Sequence, residues 1–151
     1  MLDPDTTLSY LNHAFNGIDT VLDRVDDVTV NARPQSWGTN SIAGLVVHCC
    51  ELAPSWFETP GLGRESARDR DAEFSARATV VELRQMIERT RARLVPLVHE
   101  FTEGPTALDN EFRAFLPGDD RSDDALVLHV LEELFQHLGH MEVTADAVTT
   151  P

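Results

Sequence analysis

Near the C-terminus the chain contains His129-Val-Leu-Glu-Glu-Leu-Phe-Gln-His137-Leu-Gly-His140, a segment with the apolar spacing of a bundle helix. Successive residues of an α-helix are rotated by about 100°, so Glu133 and His137 lie only about 40° apart. Both fall inside the apolar arc of this helix and not on its opposite face. The two polar side chains are therefore predicted to point toward the protein core. The same arc carries Leu126, Val130, Leu134, Met141 and Thr144.

A carboxylate at the position of Glu133 requires a positively charged partner, because burying it alone costs several kcal/mol. The chain has no lysine, and this helix contains no arginine. A bound metal ion is the first candidate for the missing positive charge. The simpler alternative is a buried pair in which Glu133 and His137 bond to each other without a metal.

The composition indicates a single acidic globular domain spanning residues 1–151. Twelve arginines stand against 26 acidic residues, which gives a formal net charge of −14. Such a surface repels phosphates and disfavours nucleic-acid binding. No apolar run reaches the roughly 20 residues of a membrane span, and the acidic start Met1-Leu-Asp-Pro-Asp5 is unlike a targeting segment. We expect a cytoplasmic protein that contacts neither membranes nor nucleic acid.

Apolar residues spaced by three and four predict four helices, separated by segments rich in proline, glycine and aspartate. The first helix is predicted from about Asp5 to Asp26, and Asn40 or Ser41 can cap the second. The third begins at the capping box Thr79-Val-Val-Glu82. The fourth is predicted to extend from a cap at Ser122 to about Ala147.

The segment from Thr59 to Ser75 has no sustained apolar period and is predicted to be a long loop. Two neighbouring antiparallel helices need only about 2 to 8 residues between them. A loop of this length reaches about 55 Å at about 3.3 Å per residue, enough to run the length of a bundle. The second and third helices are therefore predicted to be parallel. The predicted fold is all-α, a four-helix bundle with one long crossover.

His48 is the strongest candidate for a third ligand beside Glu133 and His137. It lies in the middle of the second helix, three residues after Leu45 and four before Leu52, at the edge of the apolar arc. Helical bundles commonly build metal sites from side chains on facing helices. Three protein ligands would leave a coordination position open, as a catalytic metal requires.

Two segments resemble the DinB superfamily, and in particular its branch of mycothiol-dependent maleylpyruvate isomerases and thiol S-transferases. They are Val46-Val-His48-Cys-Cys-Glu-Leu52 and, about 80 residues later, the segment from His129 to Glu142. Members of this superfamily are four-helix bundles with the same crossover, so the resemblance covers essentially the whole chain. Their ligands are one histidine on the second helix and two residues four apart on the fourth. The resemblance thus implies a metal site at His48, Glu133 and His137, with the glutamate typical of the isomerases.

The resemblance also implies chemistry on a low-molecular-weight thiol, with mycothiol as the expected thiol and an electrophile as the second substrate. A divalent metal lowers the pKa of a bound thiol, so that thiolate exists at neutral pH. Zinc suits nitrogen and oxygen ligands and a sulfur substrate, with nickel and iron as alternatives. The chain has no room for the additional C-terminal domain of the isomerases, which favours S-transfer over isomerisation. The alternatives are a bundle that binds a metal or small molecule without catalysis, and a metal-free interaction domain.

Two further histidines of the last helix flank the predicted ligands. His129 and His140 lie about 40° and 20° from Glu133 on the helical wheel, so either could support a ligand or carry a proton. We assign the catalytic role to His140.

The last helix also has more apolar surface than one bundle needs, since a bundle helix buries an arc of little more than about 100°. This excess predicts a homodimer that forms through the helix. The side chains beyond the buried arc are Val127, Leu128, Leu131, Phe135 and Leu138.

Overall fold

The computed structural model describes residues 2–34, 39–65, 68–108, 116 and 122–149, and no strand occurs among them. The chain is all-α, as predicted. A 3₁₀ turn at Thr29–Asn31 follows the first helix, and a π-helical turn at Phe57–Gly61 follows the second. The helices are α1 (Pro4–Leu22), α2 (Ile42–Trp56), α3 (Arg70–Ser75), α4 (Val80–Glu103) and α5 (Asp123–Thr149).

Side-chain caps define where α2 and α4 begin. The Ser41 hydroxyl accepts a hydrogen bond from the Gly44 amide at the start of α2. At the start of α4, Thr79 and Glu82 form the reciprocal capping box. Each cap satisfies amides that otherwise lack a partner in the first helical turn. Both predicted starts are confirmed, and Ser41 rather than Asn40 is the cap of α2.

The first helix ends at Leu22, whereas the apolar pattern predicts Asp26. The Asp26 carboxylate accepts hydrogen bonds from the backbone amides of Val28 and Thr29, and these bonds hold the chain in a turn. Val25 still packs against the core from this non-helical position. The pattern was wrong here because a side chain can reach the core without a helical backbone.

The long helices α2 and α4 lie side by side and run in the same direction. The Thr90 hydroxyl of α4 approaches the carbonyl oxygen of Cys50 in α2. Further along, Phe57 and Phe101 pack edge to face with ring centroids 5.5 Å apart. Because residue numbers rise together along both helices, the two are parallel. The predicted crossover is therefore confirmed.

The crossover contains more regular structure than the loop predicted between Thr59 and Ser75. Its helix α3 has six residues and is capped by Asp69, which accepts a hydrogen bond from the Ala72 amide. This helix packs against α2. A helix of fewer than two turns is too short to produce an apolar period, so the pattern could not reveal it.

The core lies between the four long helices and is built from their apolar faces. Every long helix contributes side chains without solvent exposure, such as Phe15, Leu45, Ile87 and Leu134. In the described part of the chain, none of the helices combines the length and the apolar character needed to cross a membrane.

Gly44 allows the crossover to approach α2 closely. A Cβ atom at this position would lie 3.0 Å from the carbonyl oxygen of Phe74, a backbone atom that cannot rotate away. The Phe74 ring in turn stacks on the ring of His48, with centroids 4.4 Å apart. The absence of a side chain at Gly44 thus helps to place α3 beside the middle of α2.

Replacing Gly44 with alanine is expected to lower the free energy of unfolding by about 1 kcal/mol, as measured by urea denaturation. Overpacking against Phe74 costs about 1–3 kcal/mol and outweighs the gain of about 1 kcal/mol in helix propensity. Gly139→Ala in α5 is the control, since nothing lies within 4 Å of its Cβ position. It is expected to stabilise the protein by about 0.5–1 kcal/mol. Equal stabilisation by both substitutions would contradict the proposed steric role of Gly44.

Candidate metal centre

The helices α2 and α5 run antiparallel and bring the three predicted ligands together. The rings of His48 and His137 meet edge to face with centroids 4.6 Å apart, and Trp56 meets His129 at the same separation. Ligand atoms of His48, Glu133 and His137 all lie within 4.8 Å of one another. Among the residues that the structure describes, these three form the one group of His, Cys, Asp or Glu close enough to hold a metal ion.

The three side chains lie where the core meets solvent. His48 is 1% exposed, whereas the side chains of Glu133 and His137 are 29% and 21% exposed. Nε2 of His137 lies 3.5 Å from Oε2 of Glu133, which is longer than a good hydrogen bond. The simpler alternative, in which these two residues satisfy each other, is therefore not favoured by the distance between them.

His48 has one ring nitrogen bound and the other without a partner. Its Nδ1 lies 2.8 Å from Oε2 of Glu73 and 3.1 Å from Nη2 of Arg68. We assign the proton to Nδ1, which donates to the carboxylate over the shorter distance, because Nη2 of Arg68 already donates to Oε2. The buried Nε2 has no hydrogen-bond partner within the described residues. Leaving a buried polar atom unpaired costs free energy, so such atoms usually have a function. Nε2 is available as a ligand atom.

Arg68 holds the Glu73 carboxylate from its other side. Its Nε donates to Oε1 at 2.5 Å and its Nη2 to Oε2 at 2.8 Å. Burial raises the pKa of Glu73, but the hydrogen bonds and charge of Arg68, together with the hydrogen bond from His48, lower it below its ordinary value. The carboxylate therefore stays ionised at neutral pH and can accept the proton of Nδ1 in a hydrogen bond.

Burial lowers the pKa of both histidines of the cluster. For His48, desolvation outweighs the hydrogen bond with Glu73. For His137, desolvation outweighs the attraction of the Glu133 carboxylate. Both imidazoles are therefore neutral at pH 7, the form in which a nitrogen lone pair can bind a metal.

The donor atoms of the cluster and the separation of two of them fit a divalent metal ion. Two ligand atoms at about 2.0–2.1 Å from a tetrahedral ion lie about 3.3–3.4 Å apart, close to the 3.5 Å between His137 Nε2 and Glu133 Oε2. The unpaired Nε2 of His48 supplies the third atom. Two imidazoles and one carboxylate are a known ligand set of catalytic zinc sites, which keep one position for substrate. The position of Glu73 matches the carboxylates that orient metal-binding histidines.

A cavity of about 510 Å³ opens beside the cluster and has the size of a small-molecule site. His48 and Glu133 form part of its wall, so a molecule in the cavity would contact the cluster directly. The side chains of Leu52, Trp56 and Pro60 make another part of the wall apolar.

His129 lines this cavity, whereas His140 does not belong to the described residues that form its wall. The charge of His140 contributes to the lowered pKa of His137, after the larger effects of burial and Glu133, so His140 lies near the cluster. The catalytic role of His140 stays a prediction. The structure adds His129 as a histidine that a bound molecule could contact.

Glu73 and Arg68 are residues of the site that sequence reasoning missed. Both lie in the crossover, where no apolar period indicates which side chains are buried. Glu73 is not distinguished by spacing from its exposed neighbour Asp71. The available signal was Asp69 followed by a short run of helix-forming residues, which is typical of a capped helical turn.

The fold and the cluster define a class of protein, an all-α bundle with a crossover and a His–Glu–His group suited to a metal. A family model described as mycothiol-S-transferase (MST) matches residues 6–149. The chain therefore belongs to the mycothiol-S-transferase family. This family is DinB-like, so the resemblance to the DinB superfamily is confirmed. No curated protein and no solved structure matches the chain.

Glu73→Ala is expected to lower the free energy of unfolding by about 3 kcal/mol, because it leaves Arg68 and the Nδ1–H of His48 without their acceptor. Urea denaturation measures this loss. Asp71→Ala is the control, since this exposed acid lies in the same short helix, and it should cost less than about 1 kcal/mol. Equally small losses in the two variants would mean that Glu73 is not part of a buried ion pair.

Proposed function

We propose that this chain is a metal-dependent S-transferase that joins a low-molecular-weight thiol, mycothiol, to an electrophilic small molecule. The observation that carries the proposal is the unpaired Nε2 of buried His48, beside ligand atoms of Glu133 and His137. Membership of the mycothiol-S-transferase family supports a thiol as substrate. The cavity beside the cluster has room for a small molecule.

His48, Glu133 and His137 would hold a divalent ion, with zinc expected and nickel or iron as alternatives. Such an ion lowers the pKa of a coordinated thiol, so that thiolate is present at neutral pH. Glu73 orients His48 toward the other two ligands and fixes its tautomer. Arg68 keeps Glu73 ionised, and so indirectly keeps Nε2 of His48 unprotonated.

In the proposed transfer one bond forms and one breaks. The sulfur donates an electron pair to the electrophilic carbon, a carbon–sulfur bond forms, and the leaving group departs with the electrons of its bond. The proton released by the thiol needs a base, which is the role predicted for His140. The apolar wall at Leu52 and Trp56 limits water around the electrophile.

Protein purified without added metal is expected to contain about one divalent ion per chain by elemental analysis. His48→Ala and His137→Ala should each lose most of this metal, because two remaining ligands bind a divalent ion weakly. His99→Ala is the matched control, since His99 is exposed and pairs with Glu103 away from the cluster. Unchanged metal content in both cluster variants would contradict the proposed ligand set.

Metal-loaded protein is expected to accelerate the reaction of mycothiol with 1-chloro-2,4-dinitrobenzene more than it accelerates the reactions of bacillithiol or glutathione. His137→Ala should abolish the acceleration. His140→Ala should lower kcat about 10²-fold or more while metal content stays unchanged, because a proton carrier contributes at least that much. A protein that binds metal but transfers none of these thiols would favour the alternative, a non-catalytic metal- or small-molecule-binding bundle.

We also propose that the protein forms a homodimer through α5. The chain itself covers part of the excess apolar surface, because Val127 is buried and Leu131 and Leu138 pack against the core. Leu128 and Phe135 remain 58% and 37% exposed. These two side chains are the expected centre of the interface.

Light scattering after size exclusion is expected to give twice the chain mass of 16.8 kDa. Leu128→Glu should shift the protein to the monomer mass, because a charge at the centre of an apolar interface is costly. Val143→Glu is the control, since Val143 is also exposed, at 68%, but lies about 22 Å further along α5 than Leu128. A wild-type protein that is monomeric at micromolar concentration contradicts the dimer.

A further inference from the structure

The cavity beside the cluster contains buried polar atoms that no described residue binds. The hydroxyl oxygen of Thr59 and Nδ1 of His129 are both buried and lack a hydrogen-bond partner in the described part of the chain. Both residues line the cavity. A carboxylate oxygen of Glu132 lies 3.7 Å from Nδ1 of His129, too far for a hydrogen bond. Because buried polar atoms are normally paired, these two atoms indicate a polar group that enters from outside.

Arg70 adds an exposed positive charge to the wall of the same cavity. Its guanidinium forms no hydrogen bond or ion pair with the residues that the structure describes. The neighbouring arginines differ, since Arg64 binds Glu100 and Arg93 binds Glu58. Acidic residues outnumber arginines by 26 to 12, so acceptors are not scarce on this surface. The guanidinium of Arg70 is thus available to a bound anion.

Arg70 lies in the wall of the same cavity as two of the proposed ligands, His48 and Glu133. The apolar Leu52 and Pro60 belong to the same cavity wall. Arg68 also lines the cavity, but it is bonded to Glu73. The cavity therefore combines the charge of Arg70 with unpaired polar atoms and an apolar surface next to the proposed ligands.

We propose that Arg70 and the Thr59 hydroxyl bind a carboxylate of the substrate in this cavity, while the apolar wall contacts its hydrocarbon part. Arginine binds carboxylates through charge-assisted hydrogen bonds, and the hydroxyl donates one more. The inference rests on the proposed function, because it assigns a substrate class, organic acids, to the same site. The carboxylate belongs to the electrophile, because the cysteine carboxyl group of mycothiol forms an amide bond and carries no negative charge.

Two matched pairs of compounds test this assignment. The electrophile pair is 4-chloro-3,5-dinitrobenzoate and its carboxamide, and the thiol pair is N-acetylcysteine and its amide. Isothermal titration calorimetry of each compound alone with the metal-loaded protein measures binding without any transfer reaction. In the thiol pair the acid and its amide should bind alike, and a preference there would contradict the assignment to the electrophile. In the electrophile pair the acid should bind at least about fivefold more tightly than the amide.

Arg70→Gln is expected to remove the preference for the acid in that pair, and Thr59→Val to reduce it. Arg77→Gln is the control, because Arg77 is exposed in the same crossover and does not line the cavity. If neither acid is preferred over its amide, or if the Arg70→Gln and Arg77→Gln variants bind the acid with the same affinity, the carboxylate site does not exist. If the protein prefers the acid but transfers no thiol, the proposed function is contradicted and the carboxylate site is still supported.

Discussion

The two nitrogens of a buried imidazole need different partners, and the hydrogen bond from His48 to Glu73 decides which one is left free. Because Nδ1 donates its proton to the carboxylate, the lone pair stays on Nε2. The opposite tautomer would place a lone pair against the carboxylate and a proton toward Glu133 and His137. The ability of the three side chains to act together as ligands therefore depends on Glu73.

Several features of the bundle are needed before Glu73 can reach His48. The crossover must return along α2 and approach it closely, which Gly44 allows. Arg68 must offset the burial of the carboxylate, which would otherwise take up a proton more readily and stop accepting one from His48. Neither Glu73 nor Arg68 belongs to the four long helices. The crossover is thus a structural part of the cluster and not merely a connection between helices.

Helical periodicity could predict the cluster, because His48, Glu133 and His137 lie in regular helices where the angle about the axis indicates the core side. The parallel arrangement of α2 and α4 followed from loop length alone. Glu73 and Arg70 could not be predicted. A six-residue helix is too short to show an apolar period, and spacing does not distinguish these two residues from the other charged residues of the chain. A helical wheel also could not distinguish His129 from His140. The wheel gives only the angle about the helix axis, whereas the position along the axis decides which histidine reaches the cavity.

The long helices and the crossover contribute different residues to the site, and this affects how the sequences of related proteins can differ. The long helices hold the cluster, whereas the side chain of Arg70 is exposed, and its replacement would leave the bundle core intact. Glu73 is 4% exposed and is bonded by both His48 and Arg68, so few other residues could replace it. A substitution at Arg70 can therefore change the substrate preference, whereas one at Glu73 would disturb His48. The short helix α3 thus contains both a position that is free to change and a position that its contacts hold fixed.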